Sequence, residues 1–230
     1  MPTLQPLTDA AIKTVLFDLD GTLADTAPDL AFALNQVLIE NGCAPLPFET
    51  IRPEVSHGGI ALIRLGFRIE PEHPDFDSLR QRLLKIYRDN IARETRLFPG
   101  MADLLNHIEQ NNMNWGVVTN KPGWLTEPLM EALELSERAA CIVSGDSCTN
   151  RKPHPEPILH ACQLAGSEAQ QCVYIGDAQR DIESGQRAGM RTIVALFGYI
   201  ADDDNPEQWQ ADTLLETPDD IMQWLVNTNI

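Results

Sequence analysis

Positive charge is scarce in this chain of 230 residues: 17 Lys and Arg stand against 34 Asp and Glu, a formal net charge of −17. That field repels polyanions, so neither nucleic acid nor an anionic membrane surface is an expected partner. Cysteine pairing is also lacking. Cys43, Cys141, Cys148, Cys162 and Cys172 make an odd set without a CxxC spacing, and they read as reduced, mostly buried small apolar residues. No apolar run approaches the roughly 20 residues of a membrane span. The stretch Met1 to Lys13 has no basic-then-apolar leader, so a reducing cytoplasm is the expected location. Internal repeats and low-complexity tracts are absent too. What remains is an ordinary globular composition, 43% hydrophobic and 22% charged, which excludes disorder and needs neither disulfides nor a structural metal to support a core. The length suits one core with a smaller appended domain.

The hydrophobic pattern orders the chain. Thr14-Val15-Leu16-Phe17 reads as a buried strand that stops at Asp18-Leu19-Asp20-Gly21-Thr22. Pro28 to Asn41 has helical spacing and ends at Asn41-Gly42. Residues from Thr50 to about Thr95 are rich in Arg, Leu and Glu and lack a clean strand; they read as a helical insertion, strongest from Ser78 to Ala92. Beyond Phe98-Pro99-Gly100, strands at Trp115–Val118, Cys141–Val143, Cys172–Ile175 and Arg191–Ala195 alternate with helices, and Asp219 to Val226 closes the chain as an amphipathic helix. Near-continuous apolar strands alternating with helices predict an α/β fold with a parallel sheet covered on both faces. In such sheets ligands bind beyond the carboxyl ends of the strands.

Polar clusters fall there. Asp18, Asp20 and Thr22, then Thr119 and Asn120, then Asp177 and Asp181 follow strands directly; Lys152 with Pro153 comes several residues after Val143. Each alone has a bland reading as a cap or turn, and together they point to one site. Asp18, Asp20 and Asp177 near a single point repel one another unless a cation sits among them, and hard oxygen ligands favour Mg²⁺. A Lys and a Thr hydroxyl suit a phosphoryl group instead. One carboxylate can attack phosphorus and the other can move the proton; the pattern alone does not say which does which.

These four clusters, Asp18-Leu19-Asp20-Gly21-Thr22, Thr119-Asn120, Lys152-Pro153 and Gly176-Asp177-Ala178-Gln179-Arg180-Asp181, resemble the four motifs of the haloacid-dehalogenase superfamily, in order. The resemblance implies a Rossmann-like core over 1–27 and 97–230 and a helical cap over 28–96. It implies Mg²⁺-dependent phosphoryl transfer with Asp18 as nucleophile and Asp20 as general acid and base. Thr119, Asn120 and Lys152 would bind the phosphoryl group. Asp18, the main-chain carbonyl of Asp20, and Asp177 would hold Mg²⁺, with Asp181 orienting Lys152 or a metal-bound water. The second aspartate, Asp20, argues against the metal-free dehalogenase branch. A Schiff-base branch needs a lysine in the cap, and Lys85 reads as a solvated residue.

Asp25-Thr26-Ala27-Pro28-Asp29, Ser56-His57-Gly58-Gly59, Leu97-Phe98-Pro99-Gly100, the run from Trp115 to Pro122, and Phe197-Gly198-Tyr199-Ile200 resemble the phosphoglycolate-phosphatase-like group, and within it the N-acetylmuramic acid 6-phosphate phosphatases of cell-wall recycling. The expected partner is a small sugar phosphate or phosphorylated hydroxy acid, and the expected assembly a monomer or homodimer. Ser56, His57, Gly58 and Gly59 at a helix start suit an anion or a hydroxyl-rich group. Arg52 and Arg64 are candidates for a substrate carboxylate. Trp115, Trp124 and Trp224 read as packing residues. A hexose-phosphate mutase and a non-catalytic binding protein on the same fold stand as alternatives.

Overall fold

The computed structural model describes residues 11–228. Residues 1–10, 229 and 230, which the sequence reading assigned to the core and to the leaderless N-terminus, lie outside the described residues. Strand β1 (Thr14–Phe17) is wholly buried and leads through a tight turn to the two-residue β2 (Ala24–Asp25). Helices α1 (Ala27–Glu40), α2 (Phe48–Ile51), α3 (Gly58–Phe67) and α4 (Phe76–Asp89) follow, with a 3₁₀ turn at Arg52–His57 ahead of α3. Strand β3 (Arg96–Leu97) returns antiparallel to β2. Thereafter the chain alternates: α5 (Met101–Gln110), β4 (Asn114–Val118), α6 (Gly123–Ala132), β5 (Cys141–Val143), α7 (Glu156–Leu164), β6 (Cys172–Gly176), α8 (Gln179–Arg187), β7 (Arg191–Ala195), β8 (Thr213–Leu215) and α9 (Pro218–Thr228).

The expected α/β architecture is present as a six-stranded sheet in the order β5-β4-β1-β6-β7-β8, every pairing parallel. The period of two in β1 divides the core. Val15 and Phe17 pack with α5, α6 and α9 through Leu104, Leu129 and Ile221. Leu16 on the other face joins Val118, Val143 and Tyr174 against Ile158 and Ala161 of α7. From β1 the chain builds outward through β4 to β5, then recrosses to β6 on the other side. The direction of winding therefore reverses beside β1, which is where a crevice opens in sheets of this kind. β8 and the β2–β3 pair escaped the sequence reading; both are too short to carry a period.

The stretch between β2 and β3 is helical: α1 starts at Ala27, one residue before the helix expected from Pro28, and α4 runs Phe76–Asp89 where Ser78 to Ala92 was expected. Leu34 and Leu38 of α1, Leu62 and Ile63 of α3, and Leu83 and Tyr87 of α4 are fully buried together. Gly66 of α3 meets Leu34 so closely that an added Cβ would lie 3.0 Å from its Cδ1. Asp29 ties the two chain crossings: its buried carboxylate accepts from the N–H of Glu94, from the N–H of Thr95 and from the Thr95 hydroxyl at 2.7–3.1 Å. All five cysteines are free, three of them buried. Among the described residues no helix is long and apolar enough to cross a membrane.

Candidate active site

The turn after β1 separates its two carboxylates. The Asp18 N–H donates to the Ile175 carbonyl, extending the ladder by one residue, and the Asp18 side chain is buried. Asp20, two positions on, accepts from the Thr26 hydroxyl at 2.7 Å and from Lys121 Nζ at 2.6 Å. Gly21 makes the turn possible: its φ is +88°, and a Cβ there would lie 2.1 Å from Asp177 Oδ2. Asp18 and Asp20 therefore both line one cavity but meet different cations.

Lys152 is the cation for Asp18. Its ammonium is almost fully enclosed and donates to Asp18 Oδ1 (2.8 Å), the Val118 carbonyl (2.9 Å) and the Tyr174 hydroxyl (2.8 Å). Asp181 Oδ1 lies 2.8 Å away as a second ion-pair partner. Burial works against this charge, but Asp18 and Asp181 outweigh it and hold its pKa above the ordinary lysine value. Asn120 fixes the loop that carries it: its side-chain amide donates to the Lys152 carbonyl and accepts from the Lys152 N–H. Asn120, whose amide is expected to assist at the phosphate, thus holds the Lys152 loop and also lines the cavity. Thr119 is buried on the cavity wall and accepts from the Lys121 N–H. Its own hydroxyl proton remains available to an anion.

Lys121 was not singled out from sequence, although it directly follows Thr119-Asn120. Desolvation opposes its charge, yet Asp20 holds its pKa above the usual range. Its Nζ lies 4.6 Å from the ring centroid of Tyr87, on α4, and burial pushes the Tyr87 hydroxyl up to about 12.

Carboxylate oxygens of Asp18, Asp177 and Asp181 lie within 4.8 Å of one another, all three buried. The cost of that crowding is visible at Asp177: burial, then the charges of Asp18 and Asp181, raise it from 3.8 to about 7. An all-oxygen donor set at this spacing fits Mg²⁺ in chemistry and size. Asp181 enters this cluster as well as pairing with Lys152. The sign of the pH effect follows. Without a divalent ion, folded Asp177 holds a proton between about pH 4 and 7 that the unfolded chain has lost. Stability from this group therefore falls as pH rises through that window and levels off above it. Thermal unfolding in EDTA between pH 4 and 8 should show this slope, and Asp177→Asn should remove it. A slope unchanged by the substitution would assign it elsewhere.

The cavity above Asp18 encloses about 650 Å³ between the sheet edge and the inserted helices. His57, Gly58 and Gly59 line it at the start of α3, where the sequence placed them. Ser56 lines it too, but its hydroxyl points at Asp177 Oδ2, 2.7 Å away. Arg52 does not line it. Its guanidinium donates to the Gly198 and Phe197 carbonyls and lies over the Tyr199 ring at 4.8 Å, so it fastens the insertion to the loop after β7 rather than reaching for substrate. Arg64 pairs with Glu70 at the surface, and Lys85 is exposed beside Asp89, as expected of a solvated residue. Trp115 packs in the core, whereas Trp124 is 44% exposed and forms part of the cavity wall. Arg80, Arg151 and Arg180 complete the wall and were missed. Arg180, within the Asp177–Asp181 motif, donates to the Ser56 carbonyl.

Comparison with known proteins agrees with this geometry. The model of the haloacid dehalogenase-like hydrolases matches residues 15–195. An N-acetylmuramic acid 6-phosphate phosphatase of Pseudomonas putida is 42% identical, with 90% of this chain and 93% of that protein covered. A phosphoglycolate phosphatase of Xanthomonas campestris is 40% identical over 92% of this chain and 95% of its own. Among solved structures, a predicted phosphoglycolate phosphatase from Haemophilus somnus superposes with a TM-score of 0.82 at 25% identity, covering 93% of this chain and 97% of that one. The chain is an enzyme of the haloacid dehalogenase-like hydrolase family, of the phosphatase kind.

Proposed function

We propose that this enzyme is a Mg²⁺-dependent phosphomonoesterase that hydrolyses N-acetylmuramic acid 6-phosphate through an aspartyl-phosphate at Asp18. The observation that carries the catalytic part is the enclosed Lys152 ammonium, 2.8 Å from Asp18 Oδ1 at the floor of a cavity large enough for a sugar. Asp18 is the nucleophile because, of the two cluster carboxylates paired with Lys152, it is the one that lines the cavity; Asp181 does not. Lys152 holds the Asp18 oxygen in place and offers its charge to the phosphoryl group. Thr119 donates its hydroxyl to a phosphoryl oxygen. Asp20, held by Thr26 and Lys121, gives the leaving alcohol its proton and later takes one from the attacking water. Asp18, Asp177 and the Asp20 carbonyl hold Mg²⁺, which supplies the positive charge that a phosphate dianion needs beside these carboxylates. Residues 28–96 act as a cap over a core of 1–27 and 97–230, excluding water while phosphorus is transferred.

The cavity favours the larger substrate. About 650 Å³ lies within the usual ~300–1,000 Å³ of small-molecule pockets and far exceeds what a two-carbon acid fills. Ile60, Leu84 and Trp124 offer apolar surface for a pyranose face and an acetyl methyl. Arg80, whose nearest acid is Asp77 at 3.8 Å, and Arg151, which spends its Nε on the Gly145 carbonyl, retain charge for a substrate carboxylate. The lactyl group of N-acetylmuramic acid carries one. Phosphoglycolate is the second reading, favoured by the names of several curated relatives near 40% identity.

A phosphate-release assay decides between them. We expect kcat/KM for N-acetylmuramic acid 6-phosphate to exceed that for phosphoglycolate by at least about tenfold, and Trp124→Ala to narrow the gap by a similar factor. EDTA should abolish both activities. A preference for phosphoglycolate, untouched by Trp124→Ala, would overturn the substrate; activity in EDTA would overturn the metal.

A further inference from the structure

Ser56 sits in the 3₁₀ turn before α3, in the inserted region, yet its hydroxyl lies among core oxygens. Its Oγ is 2.7 Å from Asp177 Oδ2 and 3.3 Å from the main-chain oxygen of Asp20. One hydroxyl carries one proton and can serve only one of these acceptors well. The same Asp177 oxygen already accepts from the Tyr199 N–H at 2.8 Å, and its other oxygen faces the Thr22 hydroxyl at 3.3 Å. Three electron-rich oxygens therefore converge, and when Asp177 is ionised they share too few protons.

A cation resolves that deficit. Neighbouring vertices of an octahedron with Mg–O bonds of about 2.0–2.1 Å stand about 2.9 Å apart. The Ser56 Oγ separations of 2.7 and 3.3 Å bracket that spacing. A second cavity of about 270 Å³, lined by Ser56, Asp177 and Asp204, opens beside these oxygens and shares Ser56, His57 and Arg180 with the one above Asp18. It has room for hydrating waters. The backbone of Ser56 is anchored from the core: Arg180 Nη2 donates to its carbonyl at 2.5 Å, while Arg180 Nη1 stands 3.4 Å from His57 Nδ1.

We propose that the Ser56 hydroxyl is a ligand of the divalent cation, contributed by the insertion to a site whose other protein oxygens come from the core. This rests on the metal reading above and adds a coupling to it. The site is complete only when the insertion is docked, so the cation binds the docked form more tightly and, reciprocally, favours docking. The hydroxyl takes the place of one water on the ion. Ser56, placed by sequence among substrate residues, becomes a positioning residue for the metal and the lid together.

Mn²⁺ titration of the substrate-free protein tests this without turnover. Free Mn²⁺ is read by electron paramagnetic resonance, and the waters on the bound ion by proton relaxation. Ser56→Ala should weaken Mn²⁺ binding by roughly tenfold, the low end for loss of a residue ordering a metal site, and add one water to the bound ion. Ser56→Thr, which keeps the hydroxyl, should restore both. Saturating Mn²⁺ should slow limited proteolysis of the β2 and β3 crossings in the wild type and not in Ser56→Ala. Unchanged affinity and water count in Ser56→Ala would overturn the proposal while leaving the phosphatase reading intact. Failure of the wild type to bind Mn²⁺ would overturn the proposal and the metal reading together.

Discussion

Asp18→Asn abolishes phosphate release from every monoester, an aryl phosphate included, while the protein stays folded. Asn fills the same volume and its carbonyl still accepts from Lys152, so the buried contact at 2.8 Å survives in neutral form. What is lost is the carboxylate proposed to form the bond to phosphorus, and an amide oxygen is too weak a nucleophile to replace it. Loss of a covalent nucleophile costs on the order of 10⁴–10⁶ in kcat. Inorganic phosphate release and far-ultraviolet circular dichroism, measured together, check both halves. Residual turnover above about 1% would make Asp18 an accessory group, because nucleophile knock-outs leave far less.

Lys152→Met costs stability as well as activity. The substitution leaves Asp18 and Asp181 buried without their shared counter-ion and removes the donor to the Tyr174 oxygen, while the Val118 carbonyl keeps the Tyr174 hydroxyl at 2.7 Å. Removing one partner of a buried pair typically costs about 3–5 kcal/mol, because the remaining charge is stranded. Met preserves the volume, so the deficit reports charge rather than packing. It shrinks as pH falls, because burial already raises Asp181 above the ordinary aspartate value and eases its neutralisation. Urea unfolding at pH 7 and pH 5 without divalent ions measures it. A loss below about 1 kcal/mol, the level of an exposed pair, would mean that water or another cation already compensates Asp18 and Asp181.

Both substitutions act at positions legible in the sequence, and the reason is topological. β1, β4 and β6 are continuous apolar runs because helices cover both sheet faces, and the residue after each run must leave the sheet at its carboxyl edge. Asp18, Thr119 and Asp177 follow those runs directly, so the pattern that locates the strands also locates them. Lys152 lies off any strand, so the strand pattern locates it less directly than the other three clusters, and the four-motif resemblance gives it its role. Lys121 and Arg180 stayed hidden because their partners are remote in sequence: Asp20 lies 101 positions from Lys121, and Ser56 lies 124 from Arg180. A cation beside a motif looks the same whether it faces water or a carboxylate.

The insertion was harder to read. Its helices show a clear period, yet which face closes over the core depends on contacts that periodicity does not encode. Arg52 looked like a carboxylate reader and instead donates to two loop carbonyls. Trp124 looked like a packing residue and instead shares the cavity wall with Ile60 of α3. Ser56 was expected at the substrate; it lines the cavity, but the direction of its hydroxyl, towards Asp177, is set by packing that periodicity does not encode.

Beryllofluoride binding followed by ¹⁹F NMR tests the central account most directly, because the ion adds to a carboxylate oxygen as a phosphoryl group would. Bound resonances should appear in the wild type only when Mg²⁺ is present and should be missing in Asp18→Asn. Bound resonances that persist in Asp18→Asn, or that form fully in EDTA, would contradict an aspartyl-phosphate at Asp18 supported by a divalent ion.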